Sequence, residues 1–371
     1  MKVLYSDPMS YRNLALYDRS LLKNLDADIQ VLFWGNERYE FQDGPSVNRI
    51  YRYSGKPMPL KAASYLLSQV KLLCALRRHR PQVLHVQWTR MPRVDRLVFA
   101  LARRVCPRLK VVFTCHDGLG LHGTKMQSRA VKELCLSADR VVVHTETTRA
   151  ELTERGGIPP ERVRVVHHGP LAVDDLPRDG GTLFFEKDPS KVVFGVLGIM
   201  SPYKGTDIAV EAWRSSEILA GADDALLVVA GEPGGVSLPE DLPRNVTVVP
   251  RKLTNEEFAS LLRSVDIVVM PYRRISQSGL LLSALGARKL LLVSRAGELD
   301  APFLFGRPGW VLEKTDVPSL RSLLESIVTE VRERGLPAVD EAVWEALDRH
   351  YSWKEAGRLT SALYRELAQE K

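Results

Sequence analysis

The chain has 371 residues, of which 45% are hydrophobic and 26% charged, with a formal net charge of +7. This is the composition of an ordinary globular protein, long enough for two domains of about 150–200 residues, each with its own core. It excludes a low-complexity or disulfide-stapled chain, and no apolar run approaches the ~20 residues that a membrane span needs.

The charge is uneven. Residues 1–180 hold 29 Lys and Arg against 18 Asp and Glu, and the remainder holds 23 against 27. A basic first half suits an anionic partner such as a lipid headgroup, a nucleic acid or a phosphorylated substrate. The four cysteines (Cys74, Cys106, Cys115, Cys135) show no CxxC pairing and no His/Cys ligand spacing, so they read as reduced thiols. The opening MKVLYS is a strand pattern without a signal-peptide core. A cytoplasmic location is therefore expected, with peripheral attachment at the inner face of a membrane as a further expectation.

In chain order, short apolar strands alternate with amphipathic stretches. KVLYS, IQVLFWG, QVLHVQW, KVVFTCH, RVVVHT and VRVVHHG are separated by segments that include 60–80, 92–104, 128–136 and 146–155. A second series follows: KVVFGVLG, ALLVVAG, VTVVP, IVVMPY, LLLVS and GWVLE. Such alternation predicts an α/β protein with two Rossmann-like, doubly wound domains of parallel strands. Between the series, Gly169-Pro170, Pro177 and Asp179-Gly180-Gly181 supply turn and linker chemistry. The expected division is 1–175, 176–350 and a terminal amphipathic helix over 351–371.

Ligands of open α/β sheets bind beyond the carboxyl ends of the strands. The stretch FGVLGIMSPYKGT (194–206) puts Gly198, Ser201, Lys204 and Gly205 in that position, ahead of a helix starting at DIAVEAW. A glycine-bearing turn, a lysine and a helix beginning form a seat for phosphate, because free N–H groups and the helix dipole face the anion. The same rule selects Gly231-Glu232, His116-Asp117 and PYRRISQSGLLLSALG (271–286). In the last of these, Gln277-Ser278-Gly279 opens a helix beside Arg273 and Arg274. Its amides and hydroxyl suit a second phosphate or a sugar hydroxyl.

Histidines end four strands, at His85, His116, His144 and His167-His168. His116 with Asp117 is expected to project into a cleft, since Gly118, Gly120 and Gly123 follow; His85 and His144 read as satisfied, partly buried side chains. Asp26-Ala27-Asp28 has the DxD form of metal-dependent sugar transferases, but it precedes a strand without further carboxylates and is discounted. HExxH, GxSxG, a full P-loop and an N-terminal GxGxxG are all lacking. The segment 59–80 is amphipathic and ends in Arg77, Arg78, His79 and Arg80. It reads first as a core-packed helix and second as one that lies on an anionic membrane.

Several stretches together resemble the retaining nucleotide-sugar glycosyltransferases of the GT-B fold, family GT4. They are PQVLHVQW, VVFTCHD, SADRVVVHTETTRAELTERGGIPPERVRVVHHGP, GIMSPYKG, LLVVAGE, NVTVVPRKLTNEEFASLLRSVDIVVMPYR and the terminal SWKEAGRL, in the family's order over most of the chain. The resemblance implies two domains facing across a cleft, the first for the acceptor and the second for the donor, with the last helix packing back on the first. It implies that Lys204 contacts the donor diphosphate and that His116 sits beside the transferred sugar. The loop at Arg251, Lys252 and Leu253 would hold the base. The segment Tyr272, Ser276, Gln277, Ser278, Gly279 and Leu280, with Gly198, Ser201 and Gly231, would complete the donor site, and Asp117 and Arg12 would lie on the acceptor side.

Ile199 stands where many members carry arginine. Ser276 and Ala284 occupy the positions of the family's paired glutamates, as in a "QSG" sub-branch. The expected activity is transfer of a sugar from a UDP- or GDP-sugar to a hydroxyl of a glycan, lipid-linked saccharide or small molecule, with retention and without metal or cofactor. No nucleic-acid partner is expected. Two alternatives stay open: a catalytically silent partner subunit, and a GT-B-like nucleotide-sugar epimerase.

Overall fold

The structure, a computed structural model, describes the chain except residues 12, 120–124, 171–184, 186–187 and 371. Arg12, Gly120, Gly123 and the linker motif at 177–181 lie outside the described residues. The chain divides into two compact units, Met1–Leu171 with Tyr351–Lys371, and Ala172–His350.

The first unit is built on seven parallel strands: β1 (Lys2–Ser6), β2 (Gln30–Asn36), β3 (Val47–Tyr51), β4 (Val83–Val86), β5 (Lys110–Thr114), β6 (Arg140–Val143) and β7 (Val163–Val165). Their order is β3-β2-β1-β4-β5-β6-β7. Parallel strands are covered on both faces, which is why the central ones are apolar at almost every position. Helices α1 (Asn13–Lys23), α2 (Met58–His79), α3 (Pro92–Val105), α4 (Lys125–Ser137) and α5 (Glu146–Ala150) supply the crossovers. Leu72 and Leu76 of α2, Phe99 of α3 and Leu134 of α4 pack with Leu4, Leu84 and Val111 on one face.

The second unit has six parallel strands in the order β10-β9-β8-β11-β12-β13. These are β8 (Val192–Leu197), β9 (Ala225–Ala230), β10 (Val246–Val249), β11 (Ile267–Met270), β12 (Leu290–Ser294) and β13 (Gly309–Leu312). Around them run α6 (Thr206–Arg214), α7 (Glu217–Ala220), α8 (Asn255–Ser264), α9 (Gly279–Gly286), α10 (Val317–Arg334) and α11 (Glu341–His350). Phe194, Trp213, Leu227, Leu292 and Leu324 are among its core residues. Asn245 sits under the Trp213 indole and accepts its N–H at 3.3 Å.

The last helix, α12 (Trp353–Gln369), belongs to the first unit and packs on α1. Its start is capped by Ser352, whose hydroxyl accepts the Glu355 N–H at 3.0 Å. A Cβ on Gly357 would lie 2.0 Å from the Asn24 carbonyl oxygen, so glycine is what lets the helix approach. Arg365 of this helix pairs with both Asp26 and Asp28, at 2.6 and 2.5 Å. The DxD motif is thereby a docking contact for α12.

Each sheet reverses its winding next to its first strand, between β1 and β4 and between β8 and β11. Those two switch points are where loops part and a ligand crevice opens.

Candidate active site

At the switch point of the second unit, β8 ends at Leu197 and the chain makes one 3-10 turn, Pro202–Lys204, before α6. Gly205 holds φ +66, and a Cβ there would lie 2.1 Å from the Pro271 carbonyl oxygen. Only glycine lets this loop rest against the loop that follows β11. The contact is locked from the other side by Arg273. Its N–H donates to the Tyr203 carbonyl at 2.8 Å, and its guanidinium pairs with Asp207 at 2.7 Å. Arg273 therefore holds the lysine loop in place with its charge already matched, and is not the open ligand contact that its place beside Gln277-Ser278-Gly279 suggests.

Lys204 is different. Its ammonium lies 5.5 Å from the centroid of the Tyr272 ring, and within 3.0 Å of where a Cβ on Gly198 would stand. Among the described residues no carboxylate pairs with it, and burial lowers its pKa. A half-buried cation without a counter-charge costs stability unless an anion joins it.

Two polar atoms beside the lysine point the same way. The Ser201 hydroxyl and the Tyr272 hydroxyl are both buried without a hydrogen bond of good geometry. Ser278 lies close enough to the Tyr272 phenol to counter part of the upward push that burial gives its pKa. Ser278 caps α9, accepting the Leu281 N–H at 3.3 Å, whereas Gly205 leaves α6 without a side-chain cap. Two helix beginnings thus flank one unpaired lysine, an arrangement that suits a diphosphate.

Gly231, at φ +153, brings the loop after β9 against the Gly198 carbonyl, 1.8 Å from where its own Cβ would be. Gly279 and Leu280 open α9, and Ser276 is buried ahead of it with Gln277 half-buried. The loop after β10 carries Arg251, Lys252 and Leu253, two strand positions from β8. The Arg251 guanidinium is committed to Glu257 at 2.6 Å, and Glu257 also completes the capping box of α8 with Thr254. Ala284 is fully buried in α9.

In the first unit, His85, His116, His144 and His168 converge beneath the carboxyl ends of β4, β5 and β6. His85 and His144 are wholly buried, deeper than their sequence positions suggested. His144 Nδ1 donates to the Val166 carbonyl at 2.8 Å, because a carbonyl can only accept. His144 Nε2 then accepts from His116 Nδ1 at 3.1 Å, and His116 Nε2 lies 3.1 Å from Gln87 Oε1. With both rings neutral, the His116 contact calls for the opposite amide orientation, with the Gln87 NH2 toward His116. His85 lies between the Tyr364 hydroxyl, 2.5 Å from its Nδ1, and the Thr114 hydroxyl, 2.8 Å from its Nε2. Burial holds His85 and His168 near pKa 3 and His144 near 4, and pushes His116 down as well.

His116 also stacks on Trp88, with ring centroids 4.3 Å apart and planes 2° from parallel. Tyr17 presents an edge to His116, His168 and Trp353 at 5.1–5.4 Å. The exposed edge of this stack lines a cavity of about 260 Å³ with Trp88, Arg90, His116, Asp117 and Gly118. Asp117 is exposed beside it. Gln87 was legible as a partner of His85, since alternate residues of a strand share a face. Tyr17 and Trp353 carried no local signal. Among the described residues no group of three or more His, Cys, Asp or Glu is arranged to hold a metal ion.

Two parallel-sheet units with ligand seats at their switch points have the GT-B glycosyltransferase fold, and solved structures agree over the whole chain. A glycosyltransferase from Rickettsia africae superposes with a TM-score of 0.72 at 12% identity, covering 100% of this chain and 99% of that one. Anabaena HepE in complex with UDP-glucose gives 0.67 at 14%, covering 99% and 100%. The catalytic domain of starch synthase IV from Arabidopsis thaliana, bound to ADP and acarbose, gives 0.69 at 12%, covering 100% and 99%.

The sequence matches the family model described as Glycosyltransferase Family 4 over residues 19–170, and that described as Glycosyl transferases group 1 over 191–330. The chain belongs to glycosyltransferase family 4. Its curated relatives include a D-inositol 3-phosphate glycosyltransferase of Mycobacterium sp. KMS, 25% identical over 52% of this chain and 45% of that protein. Another is the GPI3 subunit of phosphatidylinositol N-acetylglucosaminyltransferase from Saccharomyces cerevisiae, 21% identical over 70% and 58%. The match with the mycobacterial relative spans less than half of that protein's length.

Proposed function

We propose that the protein transfers a sugar from a UDP- or GDP-sugar to a hydroxyl of a glycan, lipid-linked saccharide or small-molecule acceptor. The observation that carries this reading is the unpaired, half-buried Lys204 between two helix beginnings, with the orphan hydroxyls of Ser201 and Tyr272 beside it. Breaking the anomeric bond leaves negative charge on the diphosphate. Lys204 and the first amides of α6 and α9 are fixed where that charge develops, and this lowers the barrier without a metal ion. With serine and alanine at positions 276 and 284, no carboxylate nucleophile stands at α9, so attack from the face of the departing phosphate, with retention, is the route that fits. His116, held by Gln87 and His144, orients the sugar or acceptor.

Peripheral attachment to an anionic membrane fits α2. One face of this helix packs in the core, and the opposite face leaves Leu60, Leu67 and Val70 each more than half exposed, with Lys71, Arg77 and Arg78 exposed alongside. No described helix is long and apolar enough to cross a membrane.

Calorimetry with UDP-, GDP- and ADP-sugars tests the central reading: one of them binds the wild type, and Lys204→Met loses that binding. Absence of binding by every donor would refute it. The second reading, a silent partner subunit, draws on the likeness to a protein named as a subunit and on the missing carboxylates at 276 and 284. It predicts no turnover with any donor but co-purification with an active transferase.

A further inference from the structure

A second cavity in the first unit, of about 610 Å³, is bounded by the loops after β1, β2, β3 and β4 together with the first turns of α2. It therefore opens at the carboxyl edge of the sheet, across the β1/β4 switch point, and its size is that of a small-molecule site. Arg38, Lys61 and Arg90 line it, with Tyr11, Tyr53 and Met58. Among the described residues none of the three cations has an ion-pair partner. The carboxylates nearby are committed elsewhere: Glu37 accepts the Ser54 N–H at 2.8 Å, and Asp95 takes the Tyr65 hydroxyl at 2.8 Å.

Arg90 is held ready. It donates to the Tyr11 hydroxyl at 2.9 Å, and its guanidinium lies 5.1 Å from the centroid of the Tyr53 ring. Neither tyrosine neutralises it, and the buried Asp7 carboxyl, which feels its charge, makes no ion pair with it among the described residues, so a planar, fixed guanidinium faces the cavity. Arg90 also lines the smaller cavity that holds His116, so the two cavities share this residue as a wall.

We propose that the larger cavity binds a phosphate group carried by the acceptor, so that the substrate's phosphate lies on Arg38, Lys61 and Arg90 while its reacting hydroxyl reaches toward His116. This rests on the transferase reading and narrows it to phosphorylated acceptors. The phosphate belongs either to a soluble sugar phosphate or to a lipid headgroup.

The test uses the full chain and two titrations: calorimetry with glucose 6-phosphate against glucose, and co-sedimentation with phosphatidic acid/phosphatidylcholine vesicles against phosphatidylcholine alone. At least one phosphorylated probe is expected to bind about ten-fold or more tightly than its neutral counterpart, because several charge-assisted bonds are at stake. Glucose 6-phosphate binding identifies a soluble source, and vesicle binding alone identifies a lipid. Arg38→Ala with Lys61→Ala, both exposed positions, should remove that preference. Arg155→Ala with Arg162→Ala, which removes the same charge from exposed positions of the first unit outside both cavities and outside α2, should leave it intact.

Phosphorylated and neutral probes binding alike would overturn the proposal, as would equal loss in both double variants. UDP-sugar titration of the same samples separates the two readings. Phosphate binding without donor binding upholds the anion site and sinks the transferase, and donor binding without phosphate preference does the reverse.

Discussion

Replacing Asp7 by asparagine should stabilise the protein above about pH 4, by an amount that grows until pH passes about 7. Asp7 follows β1 and is wholly buried; its Oδ1 accepts the Met9 N–H at 2.6 Å while Oδ2 has no partner of good geometry. Its carboxyl leans on that of Asp18, which takes the Tyr5 hydroxyl proton at 2.6 Å. Burial, first of all, pushes Asp7 up to about 7 and Asp18 up as well. The sign follows from proton counting. At low pH both folded and unfolded chains carry the proton and nothing is lost. As pH rises through the unfolded value of 3.8, only the unfolded chain ionises, and folded-state stability falls until pH passes about 7. At about 1.4 kcal/mol per unit, the wild type gives up about 4 kcal/mol at this one group by pH 8. The side-chain amide of the Asp7→Asn variant keeps an oxygen that can accept the Met9 N–H, and it removes that loss because it does not ionise.

Urea unfolding of wild type and Asp7→Asn across this range, read by hydrogen exchange in β1 and β4 so that the first unit is followed by itself, should show a gain that is absent in acid and grows toward about 4 kcal/mol in mild alkali. A gain of equal size at every pH, or a loss in alkali, would refute the reasoning.

Lys204→Met should lower kcat/KM by about 100- to 1,000-fold, the scale of losing a fixed charge at a developing anion, while raising the thermal midpoint of the unliganded protein, because it deletes an unpaired buried charge. Activity unchanged, or a lower midpoint, would contradict the site. Gly205→Ala forces a Cβ toward the Pro271 carbonyl at positive φ; it should cost about 1–3 kcal/mol in urea unfolding and weaken nucleotide binding with it. Ser278→Ala removes the α9 cap and should cost about 1 kcal/mol, recovered by Ser278→Thr. Gln87→Glu places a carboxylate beside two neutral imidazoles and should raise the His116 pKa by about 1–3 units in an NMR titration of its ring proton.

Local pattern made some of this molecule legible in advance. Apolar runs of four to eight residues separated by amphipathic stretches imply parallel strands and crossover helices, because each run must bury both faces within its own neighbourhood. Positions 198–205 and 278–280 could be marked for the same reason, since a glycine turn and a helix beginning are decided by adjacent residues. Arg273 and the DxD motif show where such reading stops: Arg273 looked available until a partner arrived from another element, and the DxD motif was discounted as a site without any sign of its partner. Asp26 and Asp28 meet Arg365 from a helix more than 330 residues away, and Arg273, after β11, meets Asp207 of α6 across 66 residues.

From its own amino acids, then, this chain determined its strands, its crossovers and the glycine–lysine turn, because those depend on spacings of two to four residues. Tertiary structure alone decided which charges are neutralised and which are left for a ligand. His85 meets Tyr364 across 279 residues, Tyr17 joins four aromatic partners, and among the described residues Lys204 and Arg38 form no ion pair with a carboxylate. The physical reason is that the energy of a charge or a buried imidazole is set by whatever the rest of the chain packs around it, and sequence distance carries no record of that.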